Sequence, residues 1–312
     1  MKRALITGSE GFAGGHLWKE LEKQGYEVFG TTLKEPDKGL SKNLFICDIT
    51  TKENIKEIVN DLLPDYIFHL AAQAAPSIAF KYPRLTIEVN TIGSINLLDS
   101  VREIPDYRPR ILFVGSSEEY GVVSSEEIPV TEDHPLNPIS PYSVSKIAAY
   151  HLSKIYNRAF DTDVVYACSF NNTGPGQATG FLAPDVAAQI VNIENGKDKP
   201  IIFTGNLDTF RDYTDVRDVV RAYVLLLEKG KTGERYNICS GDAIATKEIV
   251  ETLIKLSTVK IKHKVDPSRV RPSDIPVIEG SFQKIHELTG WQPSIPLKTT
   301  LKDLLDSYRN RD

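Results

Sequence analysis

The stretch Gly8-Ser9-Glu10-Gly11-Phe12-Ala13-Gly14 restricts the fold more than any other part of the chain. It follows the apolar run Ala4-Leu5-Ile6-Thr7 directly and leads into a helix-like segment from Gly15 to Lys23. The order is strand, glycine turn, helix. Gly8 permits a tight reversal, Gly11 lets the backbone approach a pyrophosphate, and Gly14 lets the helix sit close on the strand. Unbonded N–H groups at the helix start, with the positive end of its dipole behind them, face an anion. A glycine triplet alone also suits an ordinary turn; its place straight after a buried-looking strand points to a dinucleotide site.

The rest of the chain sustains that beginning. Strand-like runs at Val28–Thr32, Leu44–Cys47, Asp65–Leu70, Ile111–Val114 and Asp163–Cys168 alternate with helical patterns at Lys52–Leu62, Leu85–Arg102 and Tyr142–Arg158. In the second helix Ile87, Ile92, Ile95, Leu98 and Val101 recur at helical spacing. Such alternation predicts a doubly wound parallel sheet of the α/β class. A chain of 312 residues suits one large or two unequal domains. Beyond Phe170 the elements shorten, Thr246 is expected to cap a helix to about Leu256, and a last helix is expected over Leu297–Tyr308. The expected division is 1–170 for the dinucleotide and 171–312 as a smaller mixed α/β domain for substrate, with about 211–238 packing back on the first.

Composition excludes several classes. A net charge of −5 argues against a nucleic-acid partner, which needs a basic face. No apolar run approaches the length of a membrane span, and the immediate entry into a strand leaves no room for a leader, so a soluble cytoplasmic protein is expected. Cys47, Cys168 and Cys239 have no metal-like spacing; each sits in an apolar run and reads as a buried thiol in a reducing compartment, with no metal site expected.

The ends of the strands carry the chemistry. The second strand ends Thr31-Thr32-Leu33-Lys34, where NAD-preferring sites place a carboxylate for the ribose 2'-hydroxyl. A hydroxyl and a cation suit a 2'-phosphate, favouring NADP; Glu35 leaves NAD possible. Asp48, followed by Ile49, is placed to accept from an adenine amino group or to cap the next helix, for which Thr50 is better placed. The small residues from Ala71 to Ala75 leave room for a flat ligand, and Asn90 reads as a packing or backbone-bonding amide. The fifth strand ends in Gly115-Ser116-Ser117-Glu118-Glu119-Tyr120-Gly121, whose hydroxyls and carboxylates sit where such sheets bind ligands. Tyr142 and Lys146 share one face of the helix that follows the Pro141 turn. A phenol is a poor acid or base near neutrality until an ammonium stabilises its anion. Tyr150 and Lys154 repeat the spacing, but two turns further from the crevice and rotated by about 80 degrees.

Taken together, Thr7-Gly8-x-x-Gly11-Phe12-x-Gly14, His69-Leu70-Ala71-Ala72, Ser116, Tyr142-x-x-x-Lys146, Phe170-Asn171, Arg211-Asp212-Tyr213 and Gly290-Trp291 resemble the extended short-chain dehydrogenase/reductases that act on nucleotide sugars. The stretches 115–121, 170–177 and 211–218 are most similar to the branch that reduces GDP-4-keto-6-deoxy-D-mannose. The resemblance implies a Rossmann-like fold, an NADP cofactor, a GDP-sugar substrate and a homodimer built from the helices Leu85–Arg102 and Tyr142–Arg158. It implies Tyr142 as general acid, Ser116 orienting the C4 carbonyl and Lys146 tuning Tyr142. Cofactor contacts are implied for Gly8, Gly11, Phe12, Ala13, Gly14, Thr32, Lys34, Asp48, Ile49, Leu70, Ala71, Ala72, Gln73, Asn90, Tyr142 and Lys146. Substrate contacts are implied for Ser116, Ser117, Asn171, Gln177, Arg211, Arg271 and Asp274, the arginines suiting a diphosphate, with ion pairs to Asp212 or Asp274 as the alternative for them.

Two departures stand out. Cys168 occupies a position where many relatives carry Arg, which bears on one implied local ion pair or hydrogen bond but not on the chemistry. The segment after Asn171 lacks the His-Glu-Ser-Pro-Arg-Arg pattern of GDP-mannose 4,6-dehydratases, although Glu118 lies where those enzymes hold a base, so elimination is the rival reading. A catalytically silent NADP-binding sensor is a second rival, disfavoured by the joint presence of Ser116, Tyr142 and Lys146.

Overall fold

A computed structural model describes residues 1–34, 43–269 and 275–310. In chain order the elements are β1 Arg3–Thr7, α1 Phe12–Lys23, β2 Glu27–Thr32, β3 Leu44–Ile46, α2 Lys52–Leu62, β4 Tyr66–His69, α3 Pro76–Lys81 and α4 Pro83–Ile87. A π-helical turn, Glu88–Ile92, leads into α5 Gly93–Arg102, β5 Arg110–Ser116, α6 Pro141–Phe160, β6 Val164–Ser169, β7 Asn171–Thr173 and α7 Leu182–Glu194. The remainder comprises β8 Ile201–Thr204, β9 Phe210–Asp215, α8 Val216–Lys229, β10 Arg235–Ile238, β11 Ala243–Ala245, α9 Thr246–Leu256, β12 Lys262–Val265, β13 Val277–Ile278, α10 Gln283–Thr289 and α11 Leu297–Arg309.

Seven strands form one parallel sheet in the order β10-β6-β5-β4-β1-β2-β3. Strand alternation divides the core between its two faces. Ala4, Ile6 and Leu112 face Leu17 and Leu21 of α1 and Val219, Tyr223 and Leu226 of α8. Leu5, Ile111 and Phe113 point the other way, against Ile55 and Val59 of α2, Leu97 and Leu98 of α5 and Ala149 of α6. Each such Val, Leu, Ile or Phe side chain, buried on folding, contributes about 1.5–3 kcal/mol. A separate cluster packs α7, α9 and α11 together through Val186, Ile190, Ile249, Leu253, Leu301 and Leu304. Strand β9 joins β7, β11 and β13 in a small mixed sheet. No helix among the described residues is long and apolar enough to cross a membrane.

Three local expectations change. The continuous helix expected over Leu85–Arg102 is α4, a π turn and α5, with α3 ahead of them. Pro76 and Pro83 start α3 and α4, where a missing N–H costs nothing. The π turn is centred on Asn90, whose amide bonds outside the helix. Thr246 is the first residue of α9 rather than its cap, because its hydroxyl donates to the Leu207 carbonyl. Thr50 does not cap α2 either; it turns back to Asp48 and the N-cap is Thr51.

Candidate active site

The glycine turn is built by close approach. Gly8 has φ +71°, and a Cβ there would stand 2.9 Å from Ala71 Cα. A Cβ on Gly14 would lie 2.6 Å from the Gly8 carbonyl oxygen, so α1 can approach the turn only with glycine at that place. Helix α1 starts at Phe12, earlier than the sequence pattern suggested, and its N-cap Gly11 supplies no side-chain cap. The first-turn amides of Phe12, Ala13 and Gly14 therefore lack a side-chain cap, and an uncapped helix start fits a pyrophosphate. Behind the turn, Thr7 Oγ1 receives the Ala71 N–H at 3.2 Å and bonds His69 Nδ1 at 2.8 Å, while His69 Nε2 meets Ser94 Oγ at 3.0 Å. Burial, with Lys146 nearby, drops His69 to about 3, so the ring is neutral and acts as a brace.

At the ribose end the structure adds a group that strand-end reasoning did not supply. Thr32 is buried and donates its hydroxyl to the Glu10 carboxylate, and the Lys34 N–H donates to Thr32 Oγ1 at 3.1 Å. The hydroxyl expected for a 2'-phosphate is thus engaged by Glu10 and the Lys34 N–H. Glu35 lies outside the described residues. Asp48 accepts from the Thr50 N–H (2.9 Å) and hydroxyl (2.7 Å) beside buried Ile49. Asn90 is buried and holds the Leu70–Gln73 loop. Its Oδ1 accepts the Gln73 N–H at 2.7 Å, and its Nδ2 donates to the Gln73 carbonyl (3.1 Å) and to Ser145 Oγ (2.9 Å).

Ser116, Tyr142 and Lys146 come together where β5 ends and α6 begins. Ser116 closes β5 and caps a short 3-10 turn, Ser117–Glu119, its Oγ accepting the Glu118 N–H at 3.2 Å. Ser140 caps α6 by accepting the Ser143 N–H at 3.0 Å, and Pro141 follows at the first helical position, which fixes Tyr142 one residue later. Tyr142 and Lys146 are both buried. The Lys146 Nζ donates to the Val114 carbonyl at 2.9 Å and stands 5.9 Å from the centre of the Tyr142 ring. Burial pushes the Tyr142 phenol up, Glu118 adds to that, and a hydrogen bond with Ser116 pulls it back. With the ammonium over the ring and bonded to a carbonyl, burial prevails and favours the proton-carrying form of the phenol. Burial lowers Lys146 to about 8, against the opposing pull of Glu119.

Beside this trio opens a cavity of about 730 Å³ whose wall includes Ser117, Glu118 and Ser140 on one side and Asn171, Gln177 and Arg211 on the other. Ser140 Oγ donates to Glu118 at 3.3 Å, so that carboxylate is held at the wall. Gln177 accepts from Thr173 Oγ1 at 2.7 Å. Arg211 and Asp212 alternate to opposite faces of β9; Asp212 accepts from the Ser240 N–H and hydroxyl, the Gly241 N–H and the Gly280 N–H rather than pairing with Arg211. Arg271 and Asp274 lie outside the described residues.

Sequence reasoning missed Glu119 and Arg235, a buried ion pair at 3.1 Å with Arg235 Nη2 also 3.2 Å from Cys168 Sγ. The cation that Cys168 appeared to cost the site comes from β10 instead. The one signal available was the paired Glu118-Glu119 behind Gly115.

The family model for GDP-mannose 4,6 dehydratase matches residues 5–304. The GDP-6-deoxy-D-mannose reductase of Pseudomonas aeruginosa is 31% identical over 99% of this chain and 98% of its own. The GDP-mannose 4,6-dehydratase of Yersinia enterocolitica is 27% identical over 98% of this chain and 93% of its own. Among solved structures, RMD from Pseudomonas aeruginosa complexed with NADPH aligns with a TM-score of 0.89 at 29% identity, over 100% of both chains.

Proposed function

The chain belongs to the GDP-mannose 4,6-dehydratase family, and from that footing we propose that it reduces the C4 ketone of GDP-4-keto-6-deoxy-D-mannose to GDP-6-deoxy-D-mannose with NADPH. The observation that carries this is the convergence of Ser116, Tyr142 and Lys146 at the end of β5, beside a cavity large enough for a nucleotide sugar. NADPH supplies a hydride to C4 when bound. Tyr142, protonated and buried, gives its proton to the C4 oxygen, and Ser116 donates to the same oxygen as negative charge gathers there. Lys146 stabilises the phenolate left behind and is placed to hold the nicotinamide ribose. The first-turn amides of α1 take the pyrophosphate, and Lys34 the 2'-phosphate, with NAD as the weaker alternative. Ser117, Asn171, Gln177 and Arg211 bind the GDP-sugar, as do Arg271 and Asp274. In this division residues 1–170, with the α8–β10 segment, bind the cofactor and 171–312 the substrate.

Elimination by the dehydratase route is favoured by one observation, Glu118 held on the cavity wall near Tyr142. Two incubations separate the readings. GDP-4-keto-6-deoxy-D-mannose with NADPH should give reduced sugar and one NADP per product; product from GDP-mannose alone, with no NADPH oxidised in the other tube, overturns the assignment. The protein pairs as a homodimer through α4, the π turn and α6, where Leu85, Ile92, Val144 and Ile155 are exposed. Val144 and Ile155 are eleven residues apart and share one face of α6. Sedimentation as a monomer would remove that part. Three buried cysteines without a disulfide, together with the proposed use of NADPH, support a cytoplasmic location.

A further inference from the structure

Glu119 and Arg235 are 0% and 4% exposed. Removing two charges from water costs several kcal/mol each, so such a pair persists only where its remaining groups are satisfied. Here they are. One carboxylate oxygen of Glu119 accepts the Ser116 N–H at 2.8 Å and the Tyr166 hydroxyl at 2.8 Å, and the other accepts Arg235 Nη2 at 3.1 Å. The guanidinium lies between the rings of Tyr120 and Tyr150, 4.8 and 4.9 Å from their centres. Tyr150, which by spacing imitated the catalytic tyrosine, is one wall of this cation sandwich. Burial leaves the Glu119 carboxyl raised on balance, with Arg235 and the two other donors opposing it. Every one of these contacts delivers a hydrogen to the carboxylate, an arrangement that favours its ionised form.

The connections lead to the reacting groups. Tyr166 shares its hydroxyl hydrogen between Glu119 and the Lys146 carbonyl, 3.0 Å away. A single carboxylate thereby ties the backbone of Ser116, on β5, to the turn of α6 that carries Lys146 and, one turn earlier, Tyr142. The charged and titratable groups around Lys146 are Glu119 from the 3-10 turn, neutral His69 from β4 and Tyr142 from its own helix. Glu119 is the negative charge among them.

We propose that Glu119, held ionised by Arg235, is a positioning residue for the reduction: it sets Ser116 against the Tyr142–Lys146 turn and keeps Lys146 an ammonium. The inference rests on the reductase reading above, so its test includes a readout that needs no turnover. Glu119→Gln, Arg235→Met and the double variant would be compared with the parent enzyme by thermal melting, NADPH fluorescence titration, kcat against pH, and titration of Lys146 followed by NMR on protein carrying 13C-labelled lysine. Glu119→Gln leaves the guanidinium unpaired and should lower the melting temperature, whereas the double variant should recover it. In both, kcat should fall roughly tenfold to hundredfold with NADPH affinity little changed, and the Lys146 titration should move about one pH unit lower. A double variant that melts, turns over and titrates like the parent would reduce the pair to a structural element. A parent that binds NADPH but reduces no 4-keto sugar would defeat the reductase reading, while the Lys146 titration would still decide for or against Glu119.

Discussion

Replacing Gly115 by alanine would build a methyl group into space that is already taken. Its Cβ would stand 2.2 Å from Tyr166 Cε1, 2.5 Å from the Tyr166 hydroxyl oxygen and 2.5 Å from a Glu119 carboxylate oxygen. None of these can retreat cheaply. The Tyr166 ring packs on Tyr150 with centroids 4.9 Å apart, and Glu119 is fixed by Ser116, Tyr166 and Arg235. Overpacking of this kind costs about 1–3 kcal/mol, and loss of the charge-assisted Tyr166–Glu119 bond adds about 1.5–3 kcal/mol. The expected loss is about 4 kcal/mol, or roughly 6 °C in melting temperature for a chain of this size. Gly15→Ala is the matched control: a Cβ there meets nothing within 4 Å, and the change should be neutral or stabilise by up to about 1 kcal/mol. Thermal melts of both variants against the parent decide the matter. A Gly115→Ala protein that melts within about 2 °C of the parent would refute the packing described around β5.

Tyr142→Phe should lose turnover by about 100-fold or more while NADPH titration shows unchanged binding; a variant that retains parental kcat would remove Tyr142 as the proton donor. Lys146, at about 8, is an ammonium below that pH and neutral above it. kcat should therefore hold steady below about pH 7 and fall about tenfold per unit above about pH 9, and Lys146→Arg should abolish that alkaline limb; a parent rate flat to high pH would contradict this. Glu10 bonds the Thr32 hydroxyl at the ribose end, so Glu10→Gln should tighten NADPH by roughly tenfold relative to NADH in fluorescence titrations, and an unchanged ratio would show that the carboxylate turns away when the cofactor enters.

What could be read from the residues is what local geometry decides. The apolar run Ala4-Leu5-Ile6, the glycine turn and the four-residue spacing of Tyr142 and Lys146 each depend on neighbours a few positions away, and each is in place in the structure. Pairings across the fold were not legible. Arg235 reaches Glu119 only because β10 enters the sheet beside β6, in register Arg235 with Tyr166. The π turn at Asn90 depends on bonds to Gln73 and Ser145 on other segments, which helical spacing cannot report. Thr32 looked like a free hydroxyl because Glu10, which takes its hydrogen, belongs to a different strand end.

The most direct measurement follows the hydride. Reduction of GDP-4-keto-6-deoxy-D-mannose by NADPH carrying deuterium at the transferred position should place one deuterium on C4 of the product sugar, read by NMR, with one NADP formed per sugar. Deuterium absent from C4, or sugar converted without oxidation of NADPH, would contradict the reaction assigned to this site.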